Sequence, residues 1–348
     1  MVATAEMTTV PAGWLRGPSF DLTFIAGVAA IALLSGAVVV AEPRLFAPIL
    51  LLDLWLLGYH HVVATYTRLC FDGESLRRHH FLLFGLPPLV IAGVVLIYFG
   101  VGPWAIATIY LYWQWFHYTR QSFGVSQVYR RKAGGLVDEK PWLTKAALYL
   151  LPLWGILHRS YQDPGLFLGM ELRVLPVPGW LVDASAFLAL SVLALWVVLR
   201  IGSWLRGRLA VAHSLYMLSH FVVFYVGYIA IDDITHGWLV INVWHNAQYV
   251  LFVWLFNSNR FKDGIDPKAR FLSTISQKNK AWLYFGVCLG LTTLVYLGID
   301  QAIDQFSHWA LPLTLIVYQS INFHHYIVDS LIWKVRRKPM QQTLGIAS

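Results

Sequence analysis

The chain has 348 residues, 57% of them hydrophobic and only 13% charged, with a mean hydropathy of +0.57; soluble domains carry about 25% charged residues, so a soluble globular protein is excluded. Apolar runs of roughly 18 to 22 residues recur along it, which gives an all-α, polytopic integral membrane helix bundle, and the short alternating segments of a β-barrel do not occur. The net charge of +8 reads as basic cytoplasmic loops rather than a nucleic-acid surface, and Cys70 and Cys288 make no disulfide framework.

A short polar lead, residues 1–19, precedes span 1 at about 20–41. Its Val39-Val40-Ala41 end resembles a signal-peptide cleavage site, but the apolar run is long and the basic flank thin, so a retained helix is expected. Further spans follow at about 45–70, 81–99, 103–124, 142–157, 181–201, 211–230, 235–257, 281–299 and 309–333. Gly102-Pro103 makes the turn between spans 3 and 4 tight. A basic tail, 334–348, closes the chain. No linker separates two domains, so residues 1–348 form a single transmembrane domain of about ten helices.

Orientation follows from lysine and arginine placement. The lead, one alternating set of loops and the tail hold 23 of the 26 basic residues; the other loops hold only Arg44, Arg159 and Arg173, together with Asp232, Asp233, Asp300 and Asp304. Both termini are expected in the cytoplasm. Helix direction then gives each histidine a depth. His60 and His61 on span 2, His117 on span 4, His245 on span 8 and His324 and His325 on span 10 share one layer, between the membrane centre and the cytoplasmic face. His213 and His220 on span 7 fall in the same half.

A single intramembrane histidine is ordinarily a hydrogen-bonded structural residue, and His79, His80, His158, His236 and His308 sit at span ends. The shared layer and its neighbours point instead to metal ligation. Span 4 carries Tyr110, Gln114, His117 and Gln121 as one stripe, and span 10 carries Gln319, Asn322, His325 and Asp329. Asp53 lies seven residues before His60, on the same face, and Asn242, His245 and Tyr249 line one side of span 8. Imidazoles ringed by Asn, Gln and Asp suit iron, copper or zinc. The expected ligands are one or both of His60 and His61, His117, His245, and one or both of His324 and His325. Asp53 and Asp329 orient them, and Tyr249 is placed to hydrogen-bond a ligand or bound oxygen. Trp113, Gln114, Asn242, Gln248 and Asn322 are the candidate substrate contacts.

Four pieces in this order, Gly58–Val63, Phe116–Tyr118, Trp244–Trp254 and His324–Lys334, resemble the bacterial membrane β-carotene dioxygenases, the bacterio-opsin-related protein family. The resemblance implies a histidine-ligated non-haem Fe2+ enzyme of the bacterial inner (cytoplasmic) membrane. It implies O2 as co-substrate and a carotenoid, polyene or isoprenoid as the lipophilic substrate taken from the bilayer. The family's third motif has a second histidine where this chain has Tyr249, so a metal-dependent oxygenase scaffold is implied more firmly than a substrate. Two alternatives stand beside this membrane dioxygenase: a bis-histidine haem protein using His213 or His220, and a proton-coupled transporter with a His/Asp relay.

Overall fold

The computed structural model describes residues 12–135, 139–308 and 311–346. Its architecture is all-α. Ten long helices occur among the described residues: α1 Pro18–Ala41, α2 Pro43–Leu69, α3 Gly73–Gly100, α4 Pro103–Lys132, α5 Pro141–Gln162, α6 Gly179–Leu205, α7 Val211–Ala230, α8 Ile234–Arg260, α9 Lys278–Gln305 and α10 Leu313–Ile332. Seven of them, α1 to α3 and α6 to α9, are long and apolar enough to cross a membrane. The expected start of span 10 at Trp309 lies outside the described residues.

Local chemistry sets the helix ends. Proline opens α1, α2, α4 and α5, where its missing N–H costs nothing. Gly102 turns the chain into α4 at φ 125°, a conformation that favours glycine. The Asp72 carboxylate caps α3 through the Ser75 N–H at 2.9 Å, and Asp233 caps α8 through the His236 N–H at 2.8 Å. The Asp72 cap starts α3 eight residues before the expected 81, with a kink at His79. Likewise α4 continues to Lys132 rather than stopping near 124, since Gln121–Lys132 is polar but contains no proline to end it. A two-stranded hairpin, β1 Leu166–Phe167 and β2 Met170–Glu171, is an element that the sequence reading did not foresee.

The core is built around α8, which packs against α1, α2 and α7 and against the short helix Lys338–Leu344. It meets α4 through side chains: Tyr118 donates to Asn242 Oδ1 at 2.5 Å. Glycines let α7 and α8 come close, because a Cβ on Gly237 would overlap the Gly227 carbonyl. Arg159, fully buried on α5, donates to the carbonyls of Gly227, Ile231 and Asp232 and so satisfies the last turn of α7.

Four stretches are π-helical: Thr23–Gly27, Leu54–Gly58, Phe81–Gly85 and Val226–Ala230. The second lies between Asp53 and the His60–His61 pair. A π-turn inserts one extra residue into the helix and so rotates everything beyond it by about 100°. The expected alignment of Asp53 with His60 is thereby corrected: eight residues, not seven, make two turns across this stretch, and His61 takes the inner face.

Candidate metal centre

Four imidazoles from four helices close a ring. The ring centres of His61 (α2) and His325 (α10) lie 4.3 Å apart, and those of His325 and His117 (α4) 5.4 Å. His117 and His245 (α8) are 5.1 Å apart, as are His245 and His61. All four residues are buried. Each presents an Nε2 that is buried without a hydrogen-bond partner. One such orphaned nitrogen costs about 1–3 kcal/mol, so their clustering favours a bound cation, although His245 lies outside the tightest group of ligand atoms. Ligand atoms of His61, His117, His325 and Asp329 all fall within 4.8 Å of one another, a group able to hold a metal ion.

The surrounding shell fixes these rings. His61 Nδ1 donates to Asn246 Oδ1 at 2.9 Å, which leaves the Nε2 lone pair facing the centre. His325 Nδ1 lies 3.4 Å from the Thr65 hydroxyl. Asp329 stands closer than the orienting role expected for it. Its Oδ2 is 3.3 Å from His325 Nε2 and accepts from Gln121 at 2.7 Å, while its Oδ1 accepts from the Tyr249 hydroxyl at 2.8 Å. Tyr249 in turn accepts from Trp333 Nε1 at 2.8 Å and meets Thr65 at 2.7 Å. Tyr249 thus holds the carboxylate rather than facing the ring of imidazoles alone.

On the other flank a hydrogen-bonded chain crosses three helices. Trp238 donates to Gln114 at 2.6 Å, Gln114 to Tyr118 at 2.6 Å, Tyr118 to Asn242, and Asn242 to Asp53 Oδ2 at 2.5 Å. Asp53 is therefore linked to the site through Asn242. Tyr118 packs against His245 at 4.1 Å and Tyr326 against His117 at 4.5 Å, and both were missing from the sequence-based candidates. So were Thr65 and Asn246. The signal for Tyr118 was its place four residues after Gln114; for Thr65, four residues after His61.

Two of the candidate ligands point elsewhere. His60 is turned out by the π-turn, bonds the Leu56 carbonyl at 3.2 Å and packs on Phe285 of α9. His324 gives its Nε2 to the Leu82 carbonyl of α3 at 2.7 Å and stacks on Tyr66. Neighbouring residues on a helix point about 100° apart, so one member of each pair faces the ring. On α7, both ring nitrogens of His220 are engaged, by Ser122 at 2.8 Å and Leu148 O at 3.1 Å, whereas neither ring nitrogen of His213 has a hydrogen-bond partner among the described residues. His213 is fully buried on the same helix.

The ring stands between two cavities. A smaller one, about 210 Å³, is bounded by His117, His245, Tyr249, Asp329 and two of the expected contacts, Trp113 and Gln248. A larger one, about 820 Å³, is bounded by His61, His325 and the other three, Gln114, Asn242 and Asn322. No family model, curated protein or solved structure matches the chain.

Proposed function

We propose that this chain is an integral membrane enzyme that holds non-haem iron, as Fe2+, between α2, α4, α8 and α10 and uses O2 to oxidise a lipophilic substrate. The supporting observation is the buried group of His61, His117, His325 and Asp329, with the unpartnered Nε2 of His245 on a neighbouring ring, set between two cavities. The resemblance of four short segments to the bacterial membrane β-carotene dioxygenases favours iron over copper or zinc, and a carotenoid, polyene or isoprenoid as the substrate class. On the same reading all ten long helices span the bacterial inner membrane, with α4, α5 and α10 polar because they are enclosed, and both termini are cytoplasmic.

Iron supplies the redox chemistry that makes O2 reactive. The chain supplies the rest. His61, His117 and His325 would hold the ion with Asp329, and His245 would complete the set, in the neutral-imidazole and carboxylate forms that ligation requires. Asn246 and Thr65 orient two of the rings. Tyr249 and Gln121 tie down both oxygens of Asp329. Tyr118 and Tyr326 close the wall around His245 and His117 and keep water from the reacting position. The larger cavity receives the substrate, and the smaller one admits a small molecule to the opposite face of the ring.

Metal analysis of the purified protein tests this. Stoichiometric iron without a Soret band is expected; a Soret band would replace the reading with the haem protein, and absence of metal would leave the proton-coupled carrier. Full metal occupancy in a doubly substituted His117→Ala, His245→Ala protein would end it.

A further inference from the structure

The larger cavity is bounded by α10 over more than three turns. The residues that bound it run from His325 at the ring of imidazoles back to Leu313 at the first turn of the helix, and include Tyr318 part-way. Near Tyr318 the wall changes character. Tyr318 donates to Asp300 Oδ1 at 2.6 Å. Tyr59 and Tyr296 stack at 3.8 Å with planes 11° apart, and both rings lie within about 6 Å of Tyr318, at 5.8 and 6.0 Å. Among the described residues, Asp300 is the only carboxylate that bounds this cavity. It is placed to accept a hydrogen bond from a ligand and to repel an anion, while the tyrosine faces favour a positive charge. From Tyr318 to His325 is seven residues, about 10 Å along the axis, the length of about eight carbons of an extended chain.

We propose that the substrate is an amphiphile whose polar end donates hydrogen bonds, as a hydroxyl or an ammonium does. Asp300 and Tyr318 hold that end, and the position oxidised lies about eight carbons along the chain, against His61 and His325. This rests on the oxygenase reading for what happens at the ring, and on the cavity alone for where the chain lies. The head sets the distance: tyrosines and acid fix one end, and the cavity leads the apolar part to the ring.

Photolabelling in lipid nanodiscs tests it with or without metal. The probes are hexadecan-1-ol, hexadecylammonium and hexadecanoate, each carrying a diazirine at carbon three or at carbon eight. The alcohol or the ammonium probe with the group at carbon eight should label Asn322–Tyr326 and the peptide that contains His61. With the group at carbon three it should label around Tyr318 and Tyr296. Hexadecanoate should label at least about tenfold less, a difference of about 1.4 kcal/mol, and Asp300→Asn should remove that discrimination while the alcohol pattern persists. Whichever donor is captured over the carboxylate identifies the head. Labelling that ignores the diazirine position, hexadecanoate equal to the alcohol, or unchanged discrimination in Asp300→Asn would each overturn the proposal. A protein that binds no iron but labels in this pattern would sink the oxygenase and leave the amphiphile site standing.

Discussion

Helices α3 and α8 are nearly equal in length, 28 and 27 residues, and both can cross a membrane, yet they occupy opposite environments. The apolar window of α3 has a mean hydropathy of 2.4 and is 6% buried; that of α8 has 1.3 and is 89% buried. In a water-soluble protein the order would be reversed. Lipid solvates Leu89 and Phe84 of α3 as well as a protein core would, so nothing draws that helix inward. The Asn, His, Gln and Tyr side chains of α8 have no partner in lipid and are satisfied only inside. The less apolar helix therefore becomes the centre, and its polar stripe contributes to the candidate metal centre.

The comparison is most sharply tested by removing the stripe. His117→Ala with His245→Ala should abolish metal binding, measured by elemental analysis, while the protein still inserts; His60→Ala and His324→Ala should leave metal content unchanged. Next, a charge on the lipid-facing helix should be costly where one on a protein-enclosed face would find partners. Leu89→Arg should raise the insertion free energy of α3 by about 2.5–3.5 kcal/mol, read as the inserted fraction in a translocation assay, with Leu89→Ala nearly silent. Asn246→Ala leaves His61 in place but frees its ring, so metal affinity should drop by about 10- to 100-fold, followed by chelator competition.

The smallest effect lies where the two helices are tied together. Asp72 caps α3 and pairs with Arg260 at the end of α8 at 2.9 Å. Burial pushes its carboxyl up, but the Ser75 N–H and hydroxyl and the Arg260 guanidinium outweigh that and hold it below the usual carboxylate value. A depressed folded-state pKa means that the contribution is complete above the unfolded value, about pH 4, and is lost as pH falls through the lower folded value. Asp72→Ala should cost about 1 kcal/mol at neutral pH. The gap in apparent Tm between the two proteins should close in acid, and a gap that persists there would show that the carboxylate charge is not what matters.

Much of this was legible in the sequence, and the omissions have physical causes. The stripe on α8 and the layer shared by His117, His245 and the two histidine pairs follow from helical period and loop charge. Choosing His61 over His60 does not, because no proline or other residue type in Leu54–Gly58 marks a π-turn. Choosing His325 over His324 depends on a carbonyl of α3, a contact between elements far apart in the chain. Tyr118 and Tyr326 are aromatic in a chain with 17 tyrosines, and only their contacts with His245 and His117 separate them from ordinary packing. The ends of α3 and α4 extended beyond the apolar runs because caps and continuing hydrogen bonds, not hydropathy, decide where a helix stops.

The π-turn in α2 also bears on how such a site is inherited. A gene lacking one codon within Leu54–Gly58 would encode a regular helix in which seven residues make the two turns, so His61 keeps the inner face; a regular helix with all five codons kept would instead turn His60 toward the ring and His61 outward. Because the two histidines are adjacent, either phase of the helix delivers an imidazole to the same place. The doublet makes the centre tolerant of a change in helical phase upstream, which would erase a site built on a lone histidine. Lineages can therefore gain or lose this turn without passing through a protein that lacks a ligand from α2.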